Sequence, residues 1–208
     1  MYFFKPTLLQ KAIFQNFCWE QKTGENTIYL TFDDGPTPAV TDYVLEQLNQ
    51  YNAQATFFLL GKNVDVHPAL TRKIADRGHG IGNHTYSHLN GWKSDVQNYC
   101  TDVERCDEAL NKLGLQTKLF RPPYGRIKLS QAKSVMQKKE VIMWSFLTGD
   151  FDRNIDLNHA LKAVKKVKTG AIIVFHDTQK AFINLKIILP ETLSYFTSMG
   201  YQFKKLEL

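Results

Sequence analysis

Residues 27–51 read TIYLTFDDGPTPAVTDYVLEQLNQY, and the fold follows from how this stretch is parsed. Residues 27–32 are β-branched, aromatic and apolar, the composition of a buried strand. Asp33-Asp34-Gly35-Pro36 then breaks the run with residues that each favour a turn for a separate reason. Over 38–51, Val40, Val44, Leu45 and Leu48 recur at helical spacing. The stretch is therefore one strand, one polar turn and one amphipathic helix.

The same unit recurs along the chain. Further β-rich runs lie at 55–60, 80–82, 118–120, 141–146, 171–175 and 201–203. Helical patterns fall at 68–77, 94–113, 130–139, 157–167 and 182–199. Alternation of this kind predicts parallel strands joined by right-handed crossovers. About seven such units either close into a barrel or form an open doubly wound sheet. The first strand leads into Asp33-Asp34 instead of a glycine-rich dinucleotide fingerprint, which favours the barrel.

Composition sets the outer bounds. The 208 residues are 43% hydrophobic and 22% charged, which suits a globular chain that can bury one sizeable core. No linker, repeat or low-complexity tract divides them, so one domain over 1–208 is expected, with 1–25 as an N-terminal extension packed on or near it. Cys18, Cys100 and Cys106 are too few for a disulfide framework and read as reduced thiols. Cys100 and Cys106 face different directions on a helix. The net charge of +6 permits an anionic partner, but lysine pairs such as Lys138-Lys139 and Lys165-Lys166 read as solvated helix faces, so no nucleic-acid partner is expected.

The N-terminus lacks a continuous apolar core and a cleavage site, and no apolar stretch approaches a membrane span. The default location is cytoplasmic, with cell-envelope association open because a short amphipathic segment can dock on a membrane surface. Oligomeric state is not legible.

The informative polar residues all follow strands. Asp33 and Asp34 end the first run, His84 follows 80–82, Arg121 follows 118–120, Asp150 trails 141–146, and His176 ends 171–175. In a parallel barrel every strand C-terminus points to one face, so these five segments converge there. Each has a plainer reading alone. Asp33-Asp34-Gly35-Pro36 serves equally as a turn, and a phosphatase-type Asp-x-Asp-Gly fails because Phe32 holds its first position. His84 and His88 stand four apart, on one face if the segment is helical, and two imidazoles with a carboxylate suit zinc. The zincin arrangement needs Glu where Thr85 stands, so a base must come from another segment. The aspartate pair offers one carboxylate for a metal and one for proton abstraction. Arg121 opens a proline-rich turn, where it is either a surface cation or the partner of a carboxylate. His176 alone reads as a satisfied strand-end histidine, and His67, His79 and His159 read as surface residues.

Taken together, TFDDGP at 31–36, HTYSH at 84–88, RPPYG at 121–125, an element around Asp150-Phe151 and VFHD at 174–177 stand in the order of a known family. The sequence resembles the polysaccharide deacetylases of carbohydrate esterase family four, which share the NodB homology domain. The likeness spans about 27–203. It implies an α/β fold, a distorted (β/α)7 barrel related to the TIM barrel, and a metal-dependent hydrolase that removes N-linked acetyl groups from N-acetylhexosamine units of a glycan.

Position by position, the resemblance implies that Asp34, His84 and His88 bind a divalent metal, zinc foremost, with cobalt or nickel as alternatives. It makes Asp33 the general base, oriented by Arg121, and His176 the general acid, supported by Asp150. The Tyr124 N–H becomes an oxyanion donor, and Pro123, Tyr124, Phe151 and Val174 line the substrate pocket. Many relatives carry aspartate where Leu147 stands, tryptophan where Phe151 stands and leucine at Val174, so substrate preference is where this chain differs. The competing readings are an O-acetyl esterase or other amide hydrolase on the same site, and a non-catalytic glycan-binding relative.

Overall fold

In this computed structural model, residues 5–207 are described; residues 1–4, the start of the expected extension, and residue 208 lie outside the described residues. Strand β1 (Thr27–Asp33) is central, with every residue but Tyr29 buried. It pairs in parallel with β2 (Ala55–Leu59) on one side and β7 (Ile172–His176) on the other. Beyond β2 follow β3 (Gly80–Asn83), β4 (Leu119–Phe120) and β5 (Glu140–Val141), and beyond β7 lies β6 (Phe146–Leu147). The last strand, β8 (Gln202–Phe203), pairs with the start of β1.

Strand residues alternate between two environments, as the pleat requires. One set faces the helices: Phe32 stacks between Phe57 and Phe175 at 5.0 and 5.6 Å. Val44, Leu45 and Leu48 of α2 (Val40–Gln50) and Leu185, Ile188 and Leu189 of α8 (Phe182–Ser198) join the same core cluster. Burial of each such side chain stabilises by about 1.5–3 kcal/mol, so this layer drives the assembly. The opposite set, including Thr31, Asp33, Val174 and His176, faces the interior of the curled sheet. The remaining outer helices are α3 (Gly61–Val66), α4 (Pro68–Asp76), α5 (Val96–Asn111), α6 (Leu129–Val135) and α7 (Leu157–Val164).

The strand expected over 141–146 is split, and a buried arginine explains why. Arg121 is fully buried, so its guanidinium needs acceptors within the interior. Its Nε donates to the Ile142 carbonyl at 3.2 Å and its Nη2 to the Met143 carbonyl at 2.9 Å. Those carbonyls leave the ladder between β5 and β6. The segment still spans from one edge of the sheet to the other: Ile142 N–H donates to the Phe120 carbonyl and Ser145 N–H to the Ile172 carbonyl. Cys18 inserts at the break, accepting from Met143 N–H at 2.7 Å and donating to the Val141 carbonyl at 2.9 Å. The result is the distorted (β/α)7 barrel.

The extension begins with α1 (Leu8–Ile13), capped by Thr7, and its Phe17 and Trp19 are buried in a cluster with Tyr99, Phe120 and Val141. No helix among the described residues is long and apolar enough to cross a membrane. Cys18 and Cys100 are half-buried and Cys106 is buried, all with free thiols; burial raises the Cys106 thiol to about 12.

Two surface expectations fail, those for His79 and Lys139. His79 is buried beside Phe57, with Nδ1 accepting Ala55 N–H at 3.3 Å, and burial, with Arg77 and Lys205 nearby, lowers its imidazole to about 4. His67 is half-buried at the junction of α3 and α4, while His159 is exposed. Lys139 lies past the end of α6, not on a solvated helix face; it is buried, 2.7 Å from Asp107 and 3.0 Å from the Thr117 carbonyl.

Candidate metal and acid–base centre

The turn after β1 separates two adjacent carboxylates. Asp33 continues the strand into the interior, whereas Asp34 adopts a left-handed backbone with φ 76°. Asn63 of α3 holds that turn, donating through Nδ2 to the Asp34 carbonyl at 2.8 Å. Gly35 is required by its surroundings, since a Cβ there would overlap the Asp177 carboxyl group. Asp177 is fully buried, bonded by Thr41 Oγ1 at 2.5 Å, and burial raises its carboxyl to about 8.

His84 and His88 do not share a helix face. Thr85 and His88 have φ of 64° and 63°, so the segment is an irregular loop. Buried polar groups impose that shape. Asn83 Oδ1 accepts Thr85 N–H at 2.8 Å, and its Nδ2 donates to the Val103 carbonyl and to Asp107 at 2.9 and 2.8 Å. The Asp102 carboxylate accepts Ser87 N–H at 3.0 Å and Tyr86 N–H at 3.1 Å. These clamps from α5 turn both imidazoles onto Asp34.

Asp34, His84 and His88 bring one carboxylate oxygen and two ring nitrogens within 4.8 Å of one another. His84 Nδ1 lies 2.7 Å from the Arg121 carbonyl, which makes Nδ1 the protonated nitrogen and leaves a lone pair on Nε2. That Nε2 is 3.4 Å from Asp34 Oδ1, and His88 Nε2 is 3.0 Å from the same oxygen. Asp34 Oδ1 is itself buried with no hydrogen-bond partner. A lone pair facing an unsatisfied carboxylate oxygen is a repulsive arrangement that a cation between them relieves. On a tetrahedral zinc with bonds of about 2.0–2.1 Å, ligand atoms lie roughly 3.3 Å apart, close to these spacings. The residues present fit a divalent metal.

On one side of this cluster, Asp33 Oδ1 accepts Arg121 Nη1 at 2.7 Å, and the same nitrogen reaches Thr31 Oγ1 at 2.7 Å. The guanidinium also lies over the Phe58 ring, 4.1 Å from its centroid. Burial pulls Arg121 below its ordinary value, and the Asp33 carboxylate opposes the shift. On the other side, His176 is in register with Asp33 across the β1–β7 pair. Its Nδ1 is 2.8 Å from Asp150 Oδ1, and its N–H donates to Asp150 Oδ2 at 2.7 Å. Burial disfavours the imidazolium, but the Asp150 charge and hydrogen bond overcome it and raise His176 to about 9.

The substrate-side residues also gather here. Tyr124 has φ 60° and its ring lies 4.4 Å from that of His88. The two bonds of its turn are made by Gly125 N–H and Arg126 N–H, to Pro122 and Pro123. Pro123 is buried, Phe151 meets the His176 ring edge-on at 4.9 Å, and Val174 is buried in register with Leu147 and Thr31. Sequence reading missed Thr31, Asn63, Asn83, Asp102 and Asn184. The last donates to the carbonyls of Asp150 and Asp152 at 2.9 and 2.8 Å. Only Asn83, a polar residue at the end of a strand beside His84, offered a visible signal.

The family model for polysaccharide deacetylase matches residues 20–150. The chain belongs to the polysaccharide deacetylase family. It is 44% identical over 126 residues to a peptidoglycan-N-acetylglucosamine deacetylase of Bacillus cereus, covering 60% of this chain and 46% of that one. A second Bacillus cereus peptidoglycan-N-acetylglucosamine deacetylase is 33% identical over 192 residues, covering 89% of this chain and 88% of the other. The chain thus spans under half of the first relative and most of the second. Among solved structures, a peptidoglycan N-acetylglucosamine deacetylase in complex with an N-hydroxybenzamide ligand superposes with a TM-score of 0.81 at 33% identity, covering 92% of this chain and 91% of that one.

Proposed function

We propose that this polysaccharide deacetylase homologue hydrolyses the acetamide of N-acetylhexosamine units in a glycan of the cell-wall or chitooligosaccharide type, using a divalent metal, zinc foremost. One observation carries the proposal: a three-ligand Asp–His–His cluster stands between two groups backed by opposite charges, Asp33 by Arg121 and His176 by Asp150. Two relatives bearing the name peptidoglycan-N-acetylglucosamine deacetylase, and a chitooligosaccharide deacetylase of Azorhizobium caulinodans, support the substrate class.

Asp34, His84 and His88 would hold the metal. When bound, it supplies Lewis-acid polarisation of the acetamide carbonyl and acidifies water. The remaining chemistry belongs to side chains of the chain. Asp33, held in place by the buried Arg121 guanidinium, accepts the proton of the attacking water. The Tyr124 N–H donates to the developing oxyanion, a role worth roughly 3–4 kcal/mol for donors of this type. His176 holds its Nδ1 proton on Asp150 and gives its Nε2 proton to the leaving amine. Pro123, Phe151 and Val174 keep the acetyl pocket apolar and exclude water from it. The O-acetyl esterase reading shares all of these groups, so substrate comparison decides between them. Zinc-reconstituted protein is expected to release acetate from N-acetylglucosamine oligomers, with the matching mass loss. Release from O-acetylated xylan alone would overturn the amidase reading.

A further inference from the structure

Next to His88, three side chains form a continuous exposed strip. Tyr124 packs against His88, the Arg126 guanidinium lies 5.9 Å from the Tyr124 ring centroid, and it lies 4.9 Å over the Trp92 ring. Trp92 and Tyr124 are 60% and 58% exposed. Among the described residues no carboxylate forms an ion pair with Arg126. Adjacent exposed aromatic side chains beside the proposed hydrolytic centre suit a ligand surface.

The strip is also held rigid from beneath. Gln131 is fully buried; its Nε2 donates to the carbonyls of Gly91 and Ser94 at 2.9 and 3.1 Å, and its Oε1 caps its own helix by accepting Lys128 N–H at 2.9 Å. Gly91 lets the second loop approach, since a Cβ there would collide with the Arg126 carbonyl. Asn90 Oδ1 accepts Trp92 N–H at 3.0 Å, and Lys128 Nζ donates to the Ser94 carbonyl at 2.6 Å. A polar network centred on the buried Gln131 thus links the two loops that follow HTYSH and RPPYG. Neither outward side chain, Trp92 or Arg126, belongs to the buried core.

We propose that Trp92 and Arg126 form a glycan subsite that takes the sugar next to the scissile acetamide and prefers one bearing a carboxylate; this rests on the deacetylase reading. The apolar C–H face of a pyranose packs on the indole, whose ring is large and already ordered. The guanidinium stacked beside it presents its outer N–H groups to a carboxylate in the paired geometry lysine cannot supply. A glycan whose alternate units carry an acidic ether or an acidic peptide satisfies both groups at once, and a neutral oligomer only the first.

The test is equilibrium binding by calorimetry, in a zinc-loaded Asp33→Asn background so that ligand is not consumed. Two soluble fragments of equal length serve as probes, one of N-acetylglucosamine alone and one alternating with units that carry a free carboxylate. Trp92→Ala is expected to weaken both by about tenfold, with Trp92→Phe restoring most of the loss. Arg126→Gln is expected to weaken only the acidic fragment, again by about tenfold. Binding unchanged by Trp92→Ala, or an equal loss on both fragments in Arg126→Gln, overturns the subsite. Acetate release by the unsubstituted protein is followed separately: its absence removes the hydrolase reading, while a selective Arg126→Gln effect still upholds the platform.

Discussion

Asp33 and His176 stand side by side in register on neighbouring strands, and the walls behind them carry opposite charge. Behind Asp33 is a guanidinium sunk in the barrel, tied to two backbone carbonyls, a threonine and an aromatic face. Behind His176 is a carboxylate with no exposed surface, tied to the histidine alone by two bonds and fixed through its backbone by Asn184. The difference teaches how the two proposed roles, base and acid, can share one site at one pH, each group being backed by a charge opposite to its own working form. It also separates their structural duties. The base wall closes the barrel, whereas the acid wall chiefly sets a protonation state.

The largest expected effects test the site between the two walls. His84→Ala should lose both bound zinc and turnover, while Asp33→Asn keeps zinc and loses about 10²–10⁴ in acetate-release rate. Atomic emission and steady-state kinetics on the same samples read both; full activity in Asp33→Asn would reduce the base wall to scaffolding. Next, Arg121→Met leaves Asp33 as an unpaired buried charge and should cost about 3–5 kcal/mol in urea unfolding. Asp150→Asn, which preserves shape, should destabilise far less, and equal losses would erase the distinction between the walls.

A smaller effect sharpens the acid side. With His176 raised from 6.5 to about 9, its contribution to stability is complete below pH 6.5 and is lost as pH rises through about 9. Asp150→Asn removes the charge that raises it, so the alkaline limb of the pH–rate profile should move to lower pH and this stability slope should vanish. A pH slope of the same sign is expected at Asp177. Its carboxyl, raised from 3.8 to about 8 by burial, retains in the folded state a proton that the unfolded chain has lost. Stability should therefore fall as pH rises from about 4 to about 8, and Asp177→Asn should flatten that slope in thermal melts across the range.

Much of this centre was legible because its polar residues sit where strands end. Asp33, Asp34, His84, Arg121 and His176 each interrupt or follow an apolar run, and parallel topology sends all such ends to one face. The supporting residues gave no comparable signal. Thr31 is an ordinary strand residue until Arg121 bonds it, and Asn63, Asp102 and Asn184 are polar residues within helical stretches. His79 and Lys139 were misplaced for the same reason: a polar residue after a helix has the local pattern of a surface residue, and only its partner from another segment shows it is buried.

By itself the sequence determined the period of the elements, the parallel order and the polar residues that converge at the strand ends, since periodicity and residue chemistry are local properties. The tertiary structure alone decided the break at Ile142 and Met143, the left-handed turns at Asp34 and Thr85, and the strip from Tyr124 to Trp92. Each of these depends on a buried donor or acceptor finding its partner tens of residues away, and local sequence carries no record of that partner.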